Sequence, residues 1–148
     1  MMGVSSDAYL LYGMLSASDD GEWLEGVGGH EEAIDWQAEV AGFCAKAPPF
    51  SEPREAWSKA RDEWSAARLA AVTAEFGAVV SIGHHCSDGY PMPYISTEQH
   101  TSWRGYSTKI APEMLQSDPA ADAALARVAA EIGGEWSEPG WHLVSWMG

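Results

Sequence analysis

Side chains that alternate along the chain predict a β-strand near each end of the sequence. In residues 7–15, DAYLLYGML, apolar and aromatic side chains follow the two-residue period of a strand whose two faces have different surroundings. Residues 140–147, GWHLVSWM, show the same period, with Trp141, Leu143 and Ser145 on one face. Both segments are rich in the aromatic residues that favour strands, and we predict that the second one closes the sheet.

Two further strands are predicted in the middle of the chain, on either side of the turn sequence SDGYP at residues 87–91. Residues 78–87 and 91–105 are β-type stretches, and a short turn between two such stretches is typical of an antiparallel hairpin. Pro91 and Pro93 lack the N–H group that a central strand donates. We therefore expect the start of the second strand to be irregular or to lie at an edge.

Apolar residues spaced three or four positions apart predict three helices. Residues 31–43 form the first, with acidic residues in the first turn, where the helix dipole favours them. The longest helix spans about residues 52–76. Its spacing predicts a buried stripe of Trp57, Ala60, Trp64, Ala67 and Ala71, widened by Leu69, Val72 and Phe76. The third helix begins after Asp118 as N-cap, with Pro119 as its first residue, and ends at Gly133.

The predicted order β-α-α-β-β-α-β indicates the fold class. A chain of 148 residues is long enough to bury one core, and this order is typical of an α+β fold. We predict a single domain, residues 1–148, in which two or three helices pack on a mainly antiparallel sheet of about four strands. Residues 16–30, rich in Gly and Asp, are predicted to form an acidic loop within it.

The distribution of charge suggests what kind of partner the protein has. Its 22 Asp and Glu residues against 8 Lys and Arg residues give a net charge of −14. Residues 1–45 contain nine of these acids and none of the bases. Such a surface repels the phosphates of nucleic acids and anionic lipid headgroups, and it attracts a basic surface of another protein. The alternative is that the acids only keep the protein soluble.

From this we predict a binding site for a host protein with a basic surface, without direct contact to nucleic acid or membrane. Carboxylates steer the approach of a basic partner, and an aromatic side chain is a typical anchor in such an interface. The candidate residues are Asp19, Asp20, Glu22, Trp23, Glu25, Glu31, Glu32 and Asp35.

The stretch GHHCSDGYPMPY, residues 83–94, concentrates side chains that could carry metal or catalytic chemistry. His84 and Cys86 are candidate zinc ligands, together with His100 if the hairpin brings it across, because zinc prefers imidazole and thiolate ligands. The spacing matches neither a C-x-x-C pair nor an H-E-x-x-H helix. The cofactor prediction is therefore none, with zinc as the alternative.

A second interpretation makes Cys86 the nucleophile of a small hydrolase or transferase. His84, His85 or His100 would act as its base, and Asp88 would orient that base. Against this, no helix N-terminus follows Cys86 to stabilise a thiolate or an oxyanion. A third interpretation makes Cys86 a small buried side chain beside hydrogen-bonded histidines. The three interpretations stay open, with a non-enzymatic role favoured.

Arg104, between Trp103 and Tyr106, is a candidate anion-binding residue because a guanidinium near aromatic rings can bind a carboxylate or phosphate. With 8 bases against 22 acids, pairing with one of the chain's own carboxylates is the simpler interpretation. The sequence contains no phosphate-binding loop, dinucleotide fingerprint or G-x-S-x-G elbow.

The chain contains no run of about 18 apolar residues, and its first residues lack the positive charge of a secretory signal. We therefore expect a cytoplasmic protein. In that compartment Cys44 and Cys86 are expected to be free thiols.

Four segments resemble a group of small proteins encoded by bacteriophages and prophages: SSDAYLLYG at 5–13, HHCSDGYPM at 84–92, RGY at 104–106 and WHLVSWMG at 141–148. The resemblance implies a protein made in the cytoplasm of an infected bacterium, and it implies no activity for individual residues. Phage proteins of this size include inhibitors of host or defence machinery, anti-CRISPR proteins among them. The resemblance makes an inhibitor that competes for a nucleic-acid site one expectation and a minor phage structural or assembly protein another.

Overall fold

A computed structural model describes residues 6–17, 30–87 and 90–147, with the backbone alone at residues 30, 31 and 90. The elements in chain order are β1 (Ser6–Leu15), α1 (His30–Val40), α2 (Arg54–Phe76), β2 (Ser81–Ser87), β3 (Tyr90–Ser102), α3 (Pro119–Ile132) and β4 (Gly140–Met147), with a short 3-10 helix at Pro112–Met114. This order confirms the predicted α+β fold. Most of the predicted acidic loop, residues 18–29, lies outside the described residues.

The four strands form one sheet that closes on itself in the order β1-β3-β2-β4. β1 pairs antiparallel with β3 on one side and with β4 on the other, and β2 pairs antiparallel with β3. The closure is made by β2 and β4, which run parallel and pair at Cys86 with Trp146 and at Ser87 with Met147. The sheet is therefore mainly antiparallel, as predicted, with one short parallel junction.

The predicted hairpin of β2 and β3 is confirmed, because the two strands pair along the whole of β2. The ladder between β1 and β3 ends at Tyr94, so Pro91 and Pro93 lie beyond the end of β1. The N–H group of Ser16 donates to the carbonyl oxygen of Pro93 at 3.0 Å, which shows that this edge of Pro93 faces the end of β1. β3 is not an edge strand, because β1 and β2 flank it, but both prolines lie where the ladder with β1 has ended, so their missing N–H groups cost no hydrogen bond of that ladder.

The core has two parts, one outside and one inside the closed sheet. Between the sheet and the helices lie outward side chains of the strands, Tyr12, Met14, Ile82 and Ile95, and the buried faces of α1, α2 and α3. Inside the sheet a smaller cluster is formed by Leu11, Tyr94 and Val144, with Tyr9 and Leu15 against it. The alternation along β1 thus separates two apolar environments rather than an apolar and a polar one.

Two glycines permit the close approaches inside this sheet. A Cβ atom on Gly13 would lie 2.0 Å from the carbonyl oxygen of Ile95, and one on Gly83 would lie 2.6 Å from the ring of Tyr94. The register of β1 against β3 also shifts next to Gly13, which indicates a β-bulge. Gly13 therefore allows β1 and β3 to approach where the sheet bends.

The prediction for α2 is close in extent, and its buried stripe is confirmed only at Val72 and Phe76. Its buried residues are Arg68, Val72 and Phe76, all in the C-terminal half. Trp57 and Trp64 lie instead against the extended segment 43–50, where their indole N–H groups donate to the carbonyl oxygens of Pro48 at 3.2 Å and Ala45 at 2.8 Å. The spacing predicts an apolar stripe, but it does not distinguish a core from an extended segment of the same chain.

α3 begins as its sequence predicts. The side chain of Asp118 accepts hydrogen bonds from the N–H groups of Ala120 at 3.0 Å and Ala121 at 3.3 Å, which is an N-cap. The hydroxyl of Tyr12 donates to the carboxylate of Asp122 at 2.5 Å and so ties α3 to β1. Among the helices of the described residues, none combines the length and the apolar character needed to cross a membrane.

Candidate binding surface

α1 turns an acidic face outward. Its buried residues are Ala33, Ile34, Gln37 and Ala38, and its exposed acids are Glu32, Asp35 and Glu39. Residues three or four positions apart share one side of a helix, so these carboxylates lie together. We call Glu32, Asp35 and Glu39 the α1 acidic face.

A buried amide fixes the orientation of this face. Gln37 is 0% exposed. Its Nε2 donates to the carbonyl oxygen of Val80 at 2.7 Å, and its Oε1 accepts from the N–H group of Val80 at 3.0 Å. The Gln37 amide thus provides hydrogen-bond partners for both the N–H and the carbonyl group of Val80, directly before β2 begins. α1 is therefore held by a directional contact as well as by apolar packing.

One carboxylate of the acidic face has a counter-ion from later in the chain. Asp35 forms an ion pair with Arg68, whose side chain is 8% exposed while that of Asp35 is 68% exposed. The guanidinium also lies over the ring of Trp64, 5.2 Å from its centroid. Asp35 therefore stabilises the contact between α1 and α2, in addition to the partner-binding role predicted for it.

Most of the predicted partner-binding residues cannot be placed. Asp19, Asp20, Glu22, Trp23 and Glu25 lie outside the described residues, and the side chain of Glu31 does as well. Glu32 and Asp35 are exposed on the acidic face, and their role in partner binding stays a prediction. The structure adds Glu39, which sequence reasoning counted among the acids but did not assign to the site.

Lys and Arg side chains of the described residues form ion pairs with the chain's own carboxylates. Lys59 pairs with Glu63 at 3.9 Å, Arg127 with Glu75 at 2.9 Å, and Arg68 with Asp35. Even if every one of the 8 cations were paired in this way, the 22 acids would still leave the net charge at −14. Internal pairing therefore redistributes the negative potential and does not remove it.

At the end of β2, neighbouring side chains have different environments. His84 is exposed, with its ring edge-on to Trp146 at 5.0 Å between centroids, whereas the His85 ring lies 6.2 Å from that of Tyr94. Cys86 is a half-buried free thiol whose backbone has φ 80°, in the left-handed region. For a residue other than glycine that conformation costs about 1–2 kcal/mol. Asp88, the predicted orienting acid, lies outside the described residues.

Three histidines interact near this end of the sheet. Burial lowers the pKa of His85 from its ordinary value, and the neighbouring imidazoles of His142 and His84 lower it further. The Nε2 atom of His142 is buried and has no hydrogen-bond partner among the described residues. Burial, with a contribution from Tyr9, also raises the pKa of Tyr94 to about 12. The inside of the sheet therefore favours neutral side chains.

His100 does not join these histidines as the zinc hypothesis required. Its Nε2 lies 2.7 Å from a carboxylate oxygen of Glu98, and its ring stacks on Trp141 at 6.2 Å. His100 pairs with Leu10, while Cys86 pairs with a residue nine positions earlier on β3, roughly 30 Å along the strand. Within the described part of the chain, no three His, Cys, Asp or Glu residues are grouped to hold a metal ion. The predicted set of His84, Cys86 and His100 is thus not assembled.

Arg104 lies in an exposed turn at the end of β3. The N–H group of Tyr106 donates to the carbonyl oxygen of Trp103 at 3.0 Å, and Gly105 has φ 84°, as the third position of a type II turn requires. The backbone N–H of Arg104 donates to the carboxylate of Asp7 at 3.1 Å. The backbone N–H group of Arg104 thus attaches the turn to one of the chain's own acids on β1.

Sequence reasoning missed the two residues that shape the acidic face. Gln37 and Arg68 are polar residues at positions where the helical period predicts apolar ones, and both prove to be buried. A polar residue in a predicted apolar stripe was therefore the available indication of a specific contact. Comparisons of the chain with protein-family models, with curated proteins and with solved structures found no match.

Proposed function

We propose that the protein is a non-enzymatic binding protein that engages a basic surface of another protein. The contact is made by the α1 acidic face and by the acids that precede it in the sequence. The observation that carries this proposal is the absence of Lys and Arg from residues 1–45, combined with the outward orientation of Glu32 and Glu39.

The anchoring of α1 supports the proposal. A carboxylate on a fixed helix loses little conformational freedom when it meets a cation, so less of the attraction is spent on ordering the site. Gln37 holds α1 through both backbone groups of Val80, and Asp35 holds it to α2 through Arg68. Glu32 and Glu39 are therefore presented on a rigid element on either side of that ion pair.

The charge also indicates which partner surface fits. A protein of net charge −14 approaches a cationic groove faster than a neutral protein does. Its carboxylates would occupy the cationic positions that the phosphates of a nucleic acid otherwise occupy. We propose that the partner is a host protein that binds nucleic acid. The acidic protein described here competes with nucleic acid for the partner's cationic groove. A phage origin and a role against host defence stay predictions from the sequence.

A matched pair of double variants tests the proposal. Glu32→Gln with Glu39→Gln removes two charges from the acidic face, and Glu131→Gln with Glu135→Gln removes two exposed charges elsewhere. Immobilised protein captures partners from a bacterial lysate, and the association rate of each purified partner is then measured at low and high ionic strength. We expect the first variant to associate about three- to tenfold more slowly and the second to resemble the wild type.

Two results would contradict the proposal. The first is an affinity that does not change with ionic strength, because contact between an acidic and a basic surface is screened by salt. The second is an equal loss in both double variants, which would indicate that net charge alone matters and that the α1 acidic face has no special role.

A further inference from the structure

The sheet has an outer surface that the main core does not use. On β1, outward-facing Tyr12 and Met14 belong to the core under the helices, whereas outward-facing Ala8 and Leu10 line a shallow cleft of about 60 Å³. This surface extends across three strands, because Leu10 of β1 pairs with Leu143 of β4 on one side and with His100 of β3 on the other. We call the outward side chains of residues 8–10, 100–102 and 143–147 the open face.

Large apolar side chains are exposed on and beside the open face. Leu143 is 73% exposed and Met147 is 50% exposed, and both point outward from β4. Ile110 lies at the edge of the cleft and is 43% exposed. Contiguous apolar surface of this kind on a folded protein marks an interaction site.

The turn after β3 enlarges this apolar area. Trp103 is 62% exposed and Tyr106 is 78% exposed. Together the two rings expose on the order of 300 Å². A small stable interface buries about 600 Å² on each partner, so the turn could supply half of that area and the open face the rest.

The charges around the open face identify its occupant. Residues 6–10, 98–110 and 140–147 carry two carboxylates, Asp7 and Glu98, and two cations, Arg104 and Lys109. This region is therefore neutral, whereas the chain as a whole has a net charge of −14. Two copies of this protein repel each other over most of their surfaces, and here they can approach without net repulsion.

We propose that the open face is the interface of a homodimer, with the two copies related by a twofold axis. In such an interface the same patch meets itself, so its shape must be self-complementary, with a recess for each projection, and any charges on it must balance. Leu143 forms one wall of the cleft and projects into solvent, and the space between Leu143 and Ile110 is the recess. Leu143 of each copy inserts into the cleft of the other, and the aromatic turn packs around the contact.

Sedimentation of the purified wild type and of charged variants tests the dimer. The monomer mass is 16.0 kDa, and we expect the wild type to approach twice this mass at micromolar concentration. Leu143→Glu places two negative charges near the twofold axis, and we expect it to sediment as a monomer. Leu69→Glu, at a 37% exposed leucine of α2, is the matched control and should dimerise like the wild type.

Ile110→Glu gives a second, independent variant on the rim of the cleft, and circular dichroism verifies the fold of each variant. A wild type that stays monomeric at every concentration and ionic strength would overturn the proposal, and so would a dimer that Leu143→Glu leaves intact. High salt separates the dimer from the proposed function, because it weakens partner binding by the acidic face but leaves an apolar contact in place.

Discussion

The two halves of β1 have the same pattern of side chains and opposite surroundings. Outward positions are apolar from residue 8 onward, at Ala8, Leu10, Tyr12 and Met14. Near its C-terminal end the helices cover them and they form the main core, whereas near its N-terminal end they line the open face. Alternation therefore determines which side of a sheet is apolar, and the placement of the helices determines how much of that side is buried.

The largest expected difference between the two regions comes from the same substitution made on each. Leu125 of α3 is fully buried in the core, and Leu125→Ala should lower the free energy of unfolding by about 3–5 kcal/mol through the cavity it leaves. Leu143→Ala, at a 73% exposed position, should change it by less than about 0.5 kcal/mol in the monomer. Urea denaturation measures both values. Equal losses would show that the open face is part of the folded core.

The paired glycines Gly13 and Gly140 give the next comparison, because they are partners in the ladder between β1 and β4. A Cβ on Gly13 would meet the carbonyl oxygen of Ile95 at 2.0 Å, whereas a Cβ on Gly140 would meet nothing within 4 Å. Gly13→Ala should destabilise the protein by about 3 kcal/mol. Gly140→Ala should be neutral or slightly stabilising. Thermal unfolding of the two variants separates a close backbone approach from a general preference for glycine.

The contact that anchors α1 beside β2 should contribute somewhat less to the free energy of unfolding than the close approach at Gly13 does. Gln37→Leu keeps the size of the side chain but leaves the N–H and carbonyl groups of Val80 without partners, which should cost about 2 kcal/mol. Gln99→Leu is the control, because Gln99 is exposed and accepts one hydrogen bond from the hydroxyl of Tyr94. Urea denaturation of both variants decides the matter. A loss no larger for Gln37→Leu than for the control would show that α1 is held by apolar packing alone.

The smallest effect concerns pH and the inside of the sheet. Because the folded protein lowers the pKa of His85, the unfolded chain binds a proton first as pH falls below the ordinary value of 6.5. The contribution of neutral His85 to the free energy of unfolding should therefore be complete above pH 6.5. It should decrease as pH falls from 6.5 towards the lower pKa of the folded state. His85→Asn should flatten this part of the pH profile, measured by urea denaturation. A wild-type profile already flat there would contradict the expected burial of the imidazole.

The sequence predicts the elements of this fold well because they depend on local chemistry. The strand period, the hairpin turn, and Asp118 as the cap of α3 each depend on a few neighbouring residues. The parallel junction of β2 with β4 does not, because it joins Cys86 to Trp146, which no local pattern relates. The N-terminal part of the buried stripe predicted for α2 was wrong for the same reason, since the residues that cover Trp57 and Trp64 are an extended segment without any period of its own.

The sequence predicted which acidic residues belong to the candidate site better than it predicted the contacts that position them. Charge counting identified the acidic part of the chain, and the helix predicted at residues 31–43 included Glu32 and Asp35. It did not reveal that Arg68 would reach Asp35 or that Gln37 would orient the helix, because both contacts join residues more than 30 positions apart. The zinc hypothesis depended on the same kind of unknown, the position of His100 relative to Cys86.

The ladder between β1 and β4 has a consequence for how the protein assembles during translation. Ser6 lies opposite Met147, so the two strands join residues about 140 positions apart in the sequence. On the ribosome, β1 emerges early and has no partner on that side until β4 has been synthesised. Pairing between such distant segments makes folding slow, and we expect refolding in milliseconds to seconds rather than microseconds. Until β4 is available, one edge of an apolar strand stays unpaired, and this edge needs protection from aggregation in the nascent chain.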